Sequence, residues 1–462
     1  MKKYLAIILG AVFVLGFAAS AFAIHAEIPA ETQAVVAKGS TQISIGGDLR
    51  FRGEATNNRS DFNEDKPDHQ EYYDSRIRLS VEAAVTPSTK GMVVLEATSG
   101  PTGTVAIWGT DSTGSNGLYN AGNYKTSTIN ILEGWIQHSG SGLLGVPAGM
   151  KVGHMPLSLG NGIFFQHLLF GDDALVLFAD PMKELHLGLL TIKFKEGSTS
   201  VNDDATGYVG LFAYKTKEFG ISGDVTFVDD QNSSGTAGGP LAGPAAGPFV
   251  PTHFWNFGLR GNINVAGLGI KVDGEMQTGK VELASSDLKF RGYAFMAGLN
   301  YTLAPVKLSL DFAYASGDDN SSDAKMKAFV TAQDALQHFT YVYDYRTKNA
   351  CGNQFGGLCN TMYIKGDVSA EVAKDLNAYL ALYWLQAAKK INGVAGVPGH
   401  VTTTSKSIGT EIDAKITYKI DRNLNYFVEG GYLFAGNFWK SVTGSHPVDD
   451  AFAVRHGVQL SF

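Results

Sequence analysis

Long stretches of this chain alternate apolar and polar residues with a period of two. In "QISIGGDLRFRGE", Ile43, Ile45, Leu49 and Phe51 share one face, while Gln42, Ser44, Asp48, Arg50, Arg52 and Glu54 share the other. In "DSRIRLSVEAAV", Ile77, Leu79, Val81 and Ala83 oppose Arg76, Arg78, Ser80 and Glu82. The pattern returns in "GIKVDGEM", "VKLSLDFAY", "MYIKGDVSAEV" and "IGTEIDAKITYKI", the last setting Ile408, Ile412, Ile416 and Tyr418 against Glu411, Asp413, Lys415 and Lys419. Strict alternation is the signature of a strand with two unlike faces.

Two architectures bury such an apolar face. In a sandwich it packs on a second sheet; in a membrane barrel it meets lipid and the charged face lines water. Segments of ten or more residues suit a tilted membrane span better than a soluble sheet. Aromatics gather near segment ends (Tyr72, Tyr73, Trp135, Trp255, Tyr301 and Trp439), as an interfacial girdle requires. Connections alternate between short turns ("TPSTKG", "TKEFG", "VAGLG", "LAP", "AKDLN", "IDRN") and long stretches near 55–71, 99–127, 229–252, 317–360, 389–405 and 435–450. The expected fold is all-β: a closed antiparallel transmembrane barrel with short periplasmic turns and long external loops.

Direction fixes the strand count. The first strand rises, and the last, "AVRHGVQLSF", descends to Phe462. About seventeen clear strands violate the even-number rule. An extra descending strand at "DALVLFAD", with a turn at "PMKE", restores it and gives eighteen; sixteen is the alternative. "SSGTAGGPLAGPAAGPFVPT" is then an external loop rather than a linker, because alternation continues on both sides.

Composition agrees: 55 Gly, 27 Phe and 19 Tyr accompany only 14 Pro. The opening "MKKYLAIILGAVFVLGFAASAFA" pairs two lysines with an apolar run and Ala21-Phe22-Ala23, the features of a cleaved secretory signal. This divides the chain into a signal peptide at 1–23, a periplasmic segment at 24–40 (a tail or small helix) and a barrel at 41–462. Removing Lys2 and Lys3 takes the formal charge from −7 to about −9, which argues against nucleic acid as a partner. Cys351 and Cys359, the two cysteines, are expected to form a disulfide in an oxidising compartment. No nearby His or further Cys completes a metal site, and no cofactor motif occurs.

The ending "VRHGVQLSF", with Val458, Leu460 and Phe462 on alternate positions, resembles the C-terminal signal read by the barrel-assembly machinery of Gram-negative outer-membrane porins. "GMKVGHMPLSLGNG" resembles a region of substrate-specific and alginate-export-type porins that usually carries Gly-Arg-Gln and then Gly-Asp; here stand Gly153-His154-Met155 and Gly160-Asn161. The resemblance implies an eighteen-stranded diffusion channel in the outer membrane. Its partners would be outer-membrane lipid and lipopolysaccharide, the assembly machinery, small solutes and, as the oligomer to test, a homotrimer.

In a pore the lumen-facing charges carry function. Arg50, Arg52, Arg76, Arg78 and Arg455 fall on three strands that barrel closure makes neighbours, a candidate basic stripe for anionic solutes. Asp48, Glu54, Asp74 and Glu82 on the same strands would neutralise it. Asp367, Glu371, Glu411, Asp413 and Glu429 are expected to form a facing acidic wall. "PLSLGNGIFFQHLLFGDD" is the candidate constriction, with His167, Asp172 and Asp173 as its polar reach, while 317–360 is expected to cap the outside.

An enzyme is not expected. Ser286–Lys289 matches Ser-x-x-Lys only at a loop edge, and the histidines, His154, His167 and His186 among them, lack ligand spacing. The alternative function is a barrel that sheathes a partner such as an electron-transfer protein.

Overall fold

The computed structural model describes residues 34–38, 41–59, 61–66, 68–98, 106–107, 128–142, 145–197, 199–231, 241–242, 251–283, 286–320, 322–332, 339–347, 350–351, 357–391, 403–443 and 446–462. The signal-peptide segment 1–23, and most of the loops expected at 99–127 and 229–252, lie outside them.

Eighteen strands form one closed antiparallel barrel. They are β1 (Thr41–Asn57), β2 (Gln70–Thr86), β3 (Thr89–Thr98), β4 (Thr128–Gly140), β5 (Ala148–Ser158) and β6 (Gln166–Met182). Next come β7 (Leu185–Lys195), β8 (Ala205–Lys215), β9 (Phe219–Asp230), β10 (Thr252–Val265), β11 (Leu268–Val281) and β12 (Tyr293–Leu303). The last six are β13 (Val306–Ala315), β14 (Thr361–Ala373), β15 (Leu376–Ala387), β16 (Ser407–Asp421), β17 (Leu424–Ala435) and β18 (Ala451–Ser461). Each pairs with its sequence neighbours, and β18 closes on β1 from Asp48↔Ser461 to Asn57↔Phe452. Closure leaves no open edge in the wall, which the absence of water in a bilayer demands. The descending strand expected at 173–180 is the lower part of β6, and its turn to β7 falls at 183–184.

Tight turns gather at the end that holds Thr41 and Phe462. The β10–β11 turn is two residues, Ala266 and Gly267, at φ 50° and 85°. Both are left-handed, the geometry that matches strand twist. The N-terminal segment differs from the expected tail or helix: Ala34–Lys38 is a short strand antiparallel to Thr41–Ile45, on the edge of β1 that β18 leaves uncovered.

The alternating residues sort as their pattern requires. Leu49's neighbour Phe51, together with Leu79, Leu259, Leu310, Leu382, Ile416 and Phe434, is exposed on the outer wall, where lipid would replace water. Arg52, Glu54, Asp74, Glu96, Asp224, Arg260, Asp273, Glu411 and Asp413 point inward and are buried. The expected girdle is half present. Tyr73, Trp255 and Tyr301 face out, but Trp135 is buried with its ring under Lys151, and Trp439 sits in a short helical turn stacked on Phe62. Both indoles belong to the interior.

An apolar core also fills part of the barrel. Met155, Leu157, Ile163, Phe164, Phe165, Phe254, Phe290, Phe329, Val342, Tyr343 and Trp439 belong to one buried cluster. Most of these stand on connections, so the external loops fold inward.

Candidate functional site

The first inward segment is built by β5. The β4–β5 pairing stops at Gly134↔His154. Gly153 makes this possible: its φ is +131°, and a Cβ there would sit 2.2 Å from the Gly134 carbonyl oxygen. Beyond it, Met155, Leu157 and Leu159 are buried, and residues 159–165 cross to the β10–β11 wall. There Asn161 Nδ2 donates to Asp273 at 2.8 Å, Gly160 lies against the Arg260 guanidinium, and Phe164 stacks on Phe254 at 5.6 Å.

Arg260 is the centre of that wall. It pairs with Asp224 and Glu275, and with Asp273 at 3.3 Å, so one cation holds three buried carboxylates from β9 and β11. Asn256 Nδ2 also donates to Glu275, at 2.7 Å. Sequence reading missed this cluster because Arg260 has no charged neighbours in the chain; only the β9–β10–β11 register assembles it.

The second inward segment is 339–347. Its backbone is held by carboxylates: Val342 and Tyr343 N–H donate to Glu411 at 2.6 and 2.9 Å, and Tyr341 N–H to Asp413 at 3.2 Å. Arg346 pairs with Glu54 on β1, and the Tyr345 ring lies 4.4 Å from the Arg455 guanidinium on β18. Tyr343 Oη meets Thr361 Oγ1 of β14 at 2.7 Å, and Tyr383 of β15 donates to the Phe339 carbonyl. The segment therefore lies across β14 to β18 and β1. Burial pushes the Tyr343 phenol up; burial also opposes ionisation of Tyr345, but Arg346, Arg455 and Arg52 hold that phenol below its ordinary value. Ala332 N–H donates to the Phe164 carbonyl at 2.8 Å, so the two inward loops touch. The 317–360 connection was expected to cap the outside; instead part of it lines the lumen, because Glu411 and Asp413 offer acceptors that its turn amides need. Cys351 and Cys359 are bonded at its far end, with Cα atoms 5.8 Å apart.

The five arginines do come together on β18, β1 and β2, and each meets a carboxylate. Arg52 binds Asp74 at 2.7 Å, Arg76 binds Asp48 at 2.6 Å, Arg455 binds Glu429 at 2.5 Å, and Arg78 pairs with Glu96. Arg50 is the exception. It stands opposite Arg76, its nearest carboxylate is Asp74 at 3.8 Å, and its buried Nε has no hydrogen-bond partner among the described residues. Glu82 is engaged by Lys90 at 3.3 Å instead.

The acidic residues do not face this stripe across the lumen. Glu411 and Asp413 on β16 and Glu429 on β17 adjoin Arg455 on β18, because closure makes these strands consecutive. Asp367 on β14 pairs with Lys365 at 2.8 Å, and Glu371 is exposed near the tight-turn end. The constriction candidates divide between the two faces of β6, with Asp172 buried and Asp173 exposed. His167 Nδ1 and Asp172 Oδ1 lie 3.0 Å apart within β6, and Asp173 pairs with His154 at 2.8 Å on its outer face. Gly171, at φ +77°, marks the irregular step where four residues of β6 loop out of register. The polar reach of the loop is Asn161.

Residues 249–452 match the family model for alginate export. No curated protein matches. Solved structures share the fold across nearly the whole chain. The outer membrane protein OprD from Pseudomonas aeruginosa is 11% identical, with a TM-score of 0.52, covering 90% of this chain and 93% of that one. OccK8 (OprE) from Pseudomonas aeruginosa is 11% identical, with a TM-score of 0.55, covering 91% and 98%. OccK11 (OpdR) from the same organism is 11% identical, with a TM-score of 0.52, covering 90% and 96%.

Proposed function

We propose that this chain is an outer-membrane porin, a water-filled channel for the passive diffusion of small hydrophilic solutes, with a preference for anions set at Arg50. The observation that carries it is the sorting of the wall: an apolar exterior encloses ionisable side chains from β1 to β4, β6, β9 to β11, β13, β16 and β17. Such an inner surface stabilises water and solute rather than a dry core.

The stripe as a whole is close to neutral, since Asp48, Glu54, Asp74, Glu96 and Glu429 answer its five arginines. Selectivity then depends on which charge is left exposed to the solute. Exposure does not separate the arginines, since Arg78 keeps 21% of its side-chain surface accessible and Arg50 and Arg76 16%, but Arg50 has the weakest compensation. A carboxylate or phosphate group would complete the Arg50 fork. Solutes would pass beside the two inward segments. Export through a signal peptide, insertion by the barrel-assembly machinery, contact with outer-membrane lipid and lipopolysaccharide, and assembly as a homotrimer go with this function.

Conductance and reversal potential of the purified protein in planar bilayers test it. Open, anion-preferring conductance is the expected result. A sealed barrel that copurifies with an electron-transfer protein would overturn it in favour of a sheath.

A further inference from the structure

We propose that segment 339–347 is a proton-operated plug, docked on the inner wall while Asp344 is protonated and released when Asp344 ionises. The segment is fixed at its flanks and strained by charge at its centre. Tyr341, Val342 and Tyr343 give their amides to Asp413 and Glu411, and Arg346 reaches Glu54. Between these anchors the Asp344 side chain is fully enclosed, and neither of its carboxyl oxygens has a hydrogen-bond partner among the described residues. A buried carboxylate without partners is strongly disfavoured, whereas a buried carboxylic acid is tolerated.

The charges around the docked segment point the same way. Glu411 and Asp413 on β16, Glu429 on β17 and Glu54 on β1 supply carboxylates. Arg52 on β1 and Arg455 on β18 supply cations, already engaged by Asp74 and Glu429. The phenols that β14 and β15 contribute, Tyr363 and Tyr383, are neutral in the acid and neutral range. Arg50 on β1 is the least compensated cation of that wall, but among the described residues neither it nor any other cation pairs with Asp344. Burial, the largest influence, pushes its carboxyl up to about 7; the Phe339 backbone opposes it, and Glu411 adds a smaller push upward.

The sign follows from linkage. A carboxyl in solution titrates near 4. With the docked group near 7, docking is favoured fully below about pH 4 and loses up to about tenfold per pH unit until about pH 7. Acid therefore holds the plug in place, and neutral or alkaline conditions release it. Release would clear the inner face of β14 to β18 and β1.

Hydrogen exchange at the Val342 and Tyr343 amides reads the docked state directly. In the purified full-length barrel, protection corrected for intrinsic exchange should fall by up to about 100-fold from pH 5 to pH 7. Asp344→Asn should remove that dependence. Equal protection at both pH values in the wild type, or an unchanged dependence in the variant, would overturn the proposal. If Asp344→Asn fails to fold, judged by heat-modifiable migration on a gel, the wild-type exchange alone decides. Open probability in bilayers should rise over the same range. This conductance arm rests on the porin reading. A barrel that never conducts but still loses protection with pH would sink the channel and keep the plug.

Discussion

Gly47 and Phe462 exchange both of their backbone hydrogen bonds, at 2.7 and 3.0 Å, and so fasten the lower end of the seam between β1 and β18. Gly47 has no side chain because there is no room for one. A Cβ would fall 2.5 Å from the Phe462 ring and 2.9 Å from the Arg78 carbonyl oxygen. Gly47→Val should therefore weaken closure by roughly 1–3 kcal/mol, the usual cost of overpacking. Heat-modifiable gel migration should show unfolding at lower temperature. Adding Phe462→Ala should recover part of the loss; no recovery would mean that the Arg78 carbonyl, not the ring, sets the limit.

Glu411 accepts from both Val342 and Tyr343. Glu411→Ala leaves two enclosed amides unpaired, at about 1–3 kcal/mol each. The 339–347 segment should then leave the wall at every pH. Bilayer recordings should show conductance at pH 5 raised to the level reached at pH 8. Unaltered conductance at pH 5 would mean that the segment does not stand in the path.

Arg260 is the only cation within reach of Asp224 and Glu275 among the ion pairs of the described residues. Arg260→Met strands three buried carboxylates, a loss of about 3–5 kcal/mol where charges cannot relax. Thermal unfolding should move down strongly. Combining it with Asp224→Asn and Glu275→Gln should restore much of the stability, since the penalty comes from uncompensated charge rather than from the lost side chain.

Much of this architecture can be read along the chain, because lipid outside and water inside impose a period of two on every strand. The even-strand rule placed a descending strand at 173–180, and β6 contains it. Tight turns could be read for the same reason: Ala266-Gly267 and Asp375 carry their conformation locally. The inward loops could not. Phe164 and Ala332 are far apart in sequence, and nothing near either one announces that they will pair. Trp439 shows the same limit. Its spacing fits an interfacial aromatic, yet its indole N–H donates to the Ile408 carbonyl inside the barrel. Neutralisation of the stripe was partly visible: the β1–β2 register sets Arg52 opposite Asp74 and Asp48 opposite Arg78. Glu96 and Glu429 entered only once β3 and β17 were in place.

The contrast between Arg50 and Arg78 provides the most discriminating test of selectivity. Arg78 shares its charge with Glu96, so Arg78→Gln exposes a carboxylate as it removes a cation, and stability falls together with anion preference. Arg50 has only Asp74 at 3.8 Å, and Asp74 keeps Arg52 at 2.7 Å after the change. Arg50→Gln should therefore leave folding nearly unchanged, because it relieves repulsion from Arg52 and Arg76. The reversal potential in a salt gradient should still move toward cation preference, and permeation of small carboxylates should fall several-fold. Arg50→Lys should restore the charge without the planar fork. Recovery of the reversal potential without recovery of carboxylate flux would show that Arg50 binds the solute; recovery of both would reduce its role to field alone.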